Sequence, residues 1–103
     1  MTSAIQAYAR ALEAGDVAEA LHWYPGMPDD QRRGLESFWK AGCTLKPRWA
    51  VTDIAISADA ATARVTGSNT ITASRNCPGD QRVNLRVSLR RSSAGWRLLA
   101  LIK

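Results

Sequence analysis

The chain has 103 residues, 46% of them hydrophobic and 22% charged, with a formal net charge of +5. That balance fits one ordinary globular domain, residues 1–103, rather than a disordered or fibrous chain. The longest apolar run, Leu98–Ile102, is far short of the roughly 20 residues a membrane span needs, and no charged-then-apolar leader precedes Ala4. Two cysteines and a single histidine cannot fill a four-ligand zinc site, so neither a metal nor a cofactor is expected.

The first 42 residues read as three helices. Ser3 is placed to cap the first, in which Ile5, Tyr8, Ala9 and Leu12 recur at three- and four-residue spacing before Gly15 ends the turn. Asp16 caps a short second helix that runs to about Trp23 and is closed by Pro25-Gly26. Pro28-Asp29-Asp30 opens a third, with acidic side chains at the positive end of the dipole and Leu35, Phe38 and Trp39 as its apolar stripe. Gly42 stands as its C′ residue.

Beyond Gly42 the period changes from 3.6 to 2. A first strand, Thr44 to about Ile56, switches parity between Trp49/Val51 and Ile54/Ile56, which predicts a bulge near Thr52-Asp53. The second strand alternates Ala61, Ala63, Val65, Gly67, Asn69, Ile71 and Ala73 with Thr, Arg and Ser. Val83, Leu85, Val87 and Leu89 give the third the same rhythm, and Ser92–Gly95 turns into Trp96–Ile102. Helices followed by an antiparallel meander is an α+β layout, with three N-terminal helices on a curved four-stranded sheet.

Several segments carry a resemblance. The stretch AIQAYARALEAGDVAEALHWYPGMP, the third helix RGLESFW, the strand ISADAATARVTG and the closing VSLRRSSAGWRLLALIK look like the NTF2-like superfamily. More narrowly they resemble the small NTF2-like domains appended to bacterial envelope proteins and some serine/threonine kinases. The resemblance implies a cystatin-like cone, and a sheet face that often supports dimers. Full-length relatives insert a hairpin between the second and third helices. Here Tyr24–Pro28 joins them directly, which implies a shallow cone.

Enzymes of this superfamily place a carboxylate, histidine or tyrosine inside the cone. Tyr8 could donate to a developing oxyanion or simply fill the core. His22 could act as a base or sit at a helix end. Asp53 could point inward from the bulge or lie in solvent, and Asn69 could line a pocket or bond a helix terminus. Trp49, with Trp23, Trp39 and Trp96, reads as core bulk or as part of a ligand cage. No second acid or histidine shares the inward parity, so the acid–base pair of an isomerase or dehydratase is missing. The ligand-pocket candidates are therefore Tyr8, Trp49, Asp53 and Asn69, with no catalytic residue assigned.

Charge is divided unevenly. Residues 1–42 carry four basic and six acidic residues, whereas residues 43–103 carry ten and three. By parity Arg64, Arg86, Arg90, Arg97 and Lys103 leave the sheet on its outer side, with Leu99 and Leu101 between them. That makes the outer face the expected contact surface for a protein partner or a second copy. Nucleic acid fits less well, because no aromatic residues interleave with these arginines. Cys43 falls opposite position 74 across the first hairpin, and a bulge or the end of the strand would bring Cys77, three residues further along, level with it for a disulfide. A bridge implies an extracytoplasmic compartment, and reduced thiols a cytoplasmic one. The expected role is a noncatalytic accessory domain for protein interaction or sensing of a small apolar ligand. The alternatives are an isomerase- or dehydratase-like enzyme and a basic nucleic-acid contact module.

Overall fold

The computed structural model describes residues 2–72 and 77–102. Three helices, α1 (Thr2–Ala14), α2 (Val17–Trp23) and α3 (Asp29–Lys40), precede four strands, β1 (Thr44–Ser57), β2 (Ala60–Thr72), β3 (Gln81–Ser92) and β4 (Gly95–Ile102). The strands form one antiparallel sheet in the order β1-β2-β3-β4, as the meander reading requires. Lys103 and the stretch 73–76, into which the sequence extends the second strand, lie outside the described residues. No described helix is long and apolar enough to cross a membrane.

The helix boundaries follow from local chemistry. The chain leaves α1 through Gly15 at φ +68°, a conformation that costs glycine little. Asp16 caps α2 by accepting from the Glu19 N–H at 3.0 Å. Gly42, at φ +88°, releases the chain from α3 into β1.

The core lies between α1 and the concave side of the sheet. Ile5, Tyr8 and Leu12 of α1 meet Val65, Val87, Leu89 and Leu98 from the strands, all buried. The inward side of each strand is apolar because alternate residues face the same way. Gly67, at φ +143°, stands opposite Trp49 and Val83, and a Cβ there would run into the backbone carbonyl of Arg48. Glycine thus permits the close approach of β1 to β2 at this point.

Two irregularities decide which side chains face which way. The first is the bulge between Thr52 and Ala55, where Asp53 takes φ +53°. The second shifts the β3–β4 register beyond Ser88, so that Val87 pairs with Leu101 while Leu89 pairs with Leu98. Leu99 is the extra residue and is 56% exposed. Its neighbour Leu101 therefore turns inward, contrary to the simple parity that puts both leucines outside.

Candidate functional site

A cavity of about 280 Å³ opens between α1, α3 and the concave sheet. Leu12, Leu35, Phe38, Ile71, Leu85 and Leu101 supply much of its apolar lining. Its polar groups among the described residues are Tyr8, Asn69, Gln31 and Gln81, all uncharged, together with the Trp49 indole. No described Asp, Glu, His, Lys or Arg lines it.

The polar groups are held in place. The Trp49 indole N–H donates to Asn69 Oδ1 at 2.8 Å, and the Trp49 carbonyl accepts from Gln6 Nε2 at 3.3 Å. Fixing the Asn69 oxygen leaves its NH2 group available to donate. The Tyr8 ring is braced edge-on by Tyr24 at 5.8 Å and tilted against Trp49 at 6.2 Å. Burial, with the nearby Tyr24 adding to it, pushes the Tyr8 phenol well above its ordinary range. Tyr8 is thus a neutral hydroxyl at working pH, able to donate a hydrogen bond but ill suited to ionise.

Tyr8, Trp49 and Asn69 therefore meet in one cavity, as their inward positions suggest. Asp53 does not join them. The left-handed turn at the bulge carries its carboxylate outward, 3.8 Å from Arg64 and largely in solvent. Sequence reasoning locates that bulge but cannot give the direction in which its side chain leaves. Sequence reasoning singles out neither Gln31 nor Gln81: Gln31 reaches the cavity only through the way α3 crosses the sheet, whereas Gln81 shares the inward parity of Val83 and pairs with Asn69, a signal the alternation does offer. Cys43 and Cys77 form a disulfide with Cα atoms 5.7 Å apart. It ties the exit of α3 to the segment leading into β3.

On the outer face, Arg64 and Arg86 are direct ladder partners, and Arg90 lies further along β3 opposite Ala60. Arg97 departs from this group. It is in register with Arg90, but it sits on the edge strand and its guanidinium reaches α2. There it stacks 4.7 Å from the Trp23 ring centroid and donates to His22 Nε2 at 3.1 Å. Trp23 in turn donates to Glu19 Oε1 at 2.9 Å. Arg97 is therefore a clamp between β4 and α2. Lys46, Arg48 and Arg82, which parity alone places with Arg64, share that outer face. Among the described residues no group of His, Cys, Asp or Glu could hold a metal ion.

Neither a protein-family model nor a curated protein matches the sequence. Solved structures do. A Streptomyces avermitilis protein of the NTF2-like family, named as a candidate dehydratase, is similar at 18% identity and a TM-score of 0.71, over 98% of this chain and 89% of that one. A Thiobacillus denitrificans protein, named as a candidate calcium/calmodulin-dependent protein kinase type II association domain, is similar at 16% identity and a TM-score of 0.68, over 98% and 90%. A Nostoc punctiforme protein of unknown function with a cystatin-like fold reaches a TM-score of 0.62 at 14% identity, over 98% and 84%. At these identities the likeness is one of architecture. The chain has the NTF2-like, cystatin-like fold.

Proposed function

We propose that this chain is a noncatalytic accessory domain whose cavity binds a small, neutral, largely apolar ligand bearing a hydrogen-bond acceptor such as a carbonyl oxygen. One observation carries the reading: an apolar cavity of about 280 Å³ whose described polar groups are amides, an indole and a phenol, none of them charged. Such a site can orient an acceptor through the Asn69 NH2 and the Tyr8 hydroxyl while the ligand's body rests on Phe38, Trp49 and Leu85. Dehydration or isomerisation asks for more, since a base must take a proton and an acid must support the departing or developing charge. The reading therefore does not take over the dehydratase name of the Streptomyces protein. The Cys43–Cys77 bridge supports an extracytoplasmic setting, because structural disulfides persist in oxidising compartments.

The test compares 4-phenylbutan-2-one with butylbenzene, which lacks the carbonyl, by displacement of Nile red fluorescence. Asn69→Leu should weaken the ketone about three- to tenfold, the worth of one hydrogen bond, and leave the hydrocarbon unchanged. Tyr8→Phe supplies a second reading that preserves the packing. Equal losses for ketone and hydrocarbon in both variants would remove the proposed polar anchor.

A further inference from the structure

The outer face of the sheet takes no part in the cavity, yet it gathers most of the charge of the strands. Even-numbered positions bring Lys46, Arg48, Arg64, Arg82, Arg86 and Arg90 to one surface. Arg48 and Arg82 flank Ser68 in one row, and Arg64 faces Arg86 two rows on. Among the described residues, the acid paired with any of these six is Asp53, which lies 3.8 Å from Arg64. Folding gives no reason to collect like charges, which oppose one another at such spacing. Pairing this face with its own copy would set cations against cations, so a second chain is the wrong occupant.

We propose that this face docks an extended acidic segment of a partner protein. Arg82, Arg86 and Arg90 recur at every fourth residue of β3, about 13 Å apart, which is the repeat of same-side residues four apart in an extended peptide. Five of the six cations are arginines, whose planar fork takes a carboxylate with two hydrogen bonds. Thr66, Ser68 and Ser88 lie between them and offer neutral donors and acceptors to a peptide backbone, while Asn84 Oδ1 accepts from Arg64 at 2.7 Å and keeps its NH2 group to donate. No even-numbered residue from Thr44 to Thr52, in β2 or in β3 is aromatic, so the face has no platform on which nucleic-acid bases could stack. Ile102, in register with Arg86, is exposed beside them, and the exposed side chains of Leu99 and Ile54 stand singly at the β4 and β1 irregularities, so the face offers a lipid surface no continuous apolar patch. The inference stands apart from the cavity and does not depend on its ligand.

Asp53 gives the proposal a test with the opposite sign. Its carboxylate competes for Arg64, and asparagine tolerates the same left-handed backbone, so Asp53→Asn removes the charge without disturbing the bulge. A fluorescein-labelled peptide of alternating Glu and Ser, about 12 residues long so as to span the three arginines of β3, is titrated with the chain by anisotropy. Oligo-dT and phosphatidylglycerol vesicles are run beside it. The chain should prefer the peptide to both. Arg86→Glu with Arg90→Glu should weaken the peptide at least about tenfold, and Asp53→Asn should tighten it about two- to threefold. Arg97→Ala, whose side chain serves α2, should stay within about twofold of the parent. Thermal melts establish that each variant is folded. The proposal is overturned if the peptide does not bind, if the double variant binds equally, if Asp53→Asn gains nothing, or if oligo-dT or the vesicles are preferred.

Discussion

Tyr8 shows how one side chain can serve both the core and the cavity. It is 1% exposed, yet it lines the cavity, and its hydroxyl has no hydrogen-bond partner among the described residues. Because burial raises its folded-state pKa above the ordinary value of about 10, the folded chain holds this proton more tightly than the unfolded one. Its contribution to stability is therefore complete below about pH 10 and drains away as the pH rises beyond, at about 1.4 kcal/mol per pH unit. Urea unfolding between about pH 8 and 11 should show this fall, and Tyr8→Phe should lack that component while losing little at neutral pH. Identical alkaline slopes in the two proteins would mean that Tyr8 is not the group that titrates. Asp53 shows the limit of reading single residues. Its bulge is legible from the parity switch between Trp49 and Ile54, but its outward direction is set by the φ of one residue.

At the level of elements, legibility follows alternation. Strands β2 and β3 each alternate regularly, with inward residues apolar apart from Gly67, Asn69 and Gln81, so most of their inward faces can be read directly from the sequence. Strand β4 cannot be read that way. Leu98–Ile102 is apolar at every position, and nothing in it marks the register shift that turns Leu101 into the cavity and leaves Leu99 outside. The parity that places Arg97 on the outer face also misses its reach around the sheet edge to Trp23, a contact that depends on where α2 docks. The disulfide lends itself to a test at this scale, because it joins the ends of two elements 34 residues apart in sequence. Closing a loop of that length limits the unfolded chain by about 3–4 kcal/mol. Cys43→Ser with Cys77→Ser should lower the unfolding free energy by about that amount, and reductant should reproduce the loss in the parent chain. An unchanged denaturation midpoint under reductant would mean that the bridge contributes nothing.

Taken whole, the molecule separates its tasks. The helical part is mildly acidic, the sheet strongly basic on its outer face, and the cavity, which no charged side chain lines among the described residues, lies between them. The fold and three cavity residues, Tyr8, Trp49 and Asn69, could be anticipated, because each sits at an inward position of a clearly periodic element. Gln31 and Leu101 could not, since their place at the cavity depends on the crossing of α3 and on the β4 register, while Gln81 follows the inward parity of Val83 and is masked only by its polar side chain. The central claim is that a neutral ligand binds without the help of any ionised group. Calorimetric titration of 4-phenylbutan-2-one at about pH 5, 7 and 9 tests it, for that range covers the ordinary titrations of carboxylate tails and imidazole. The proposed binding without an ionised group predicts an affinity constant to within about twofold across the series, with the ketone recovered unchanged. A step in affinity within that range, or conversion of the ketone, would show an acid or base at work in the cavity and contradict the account.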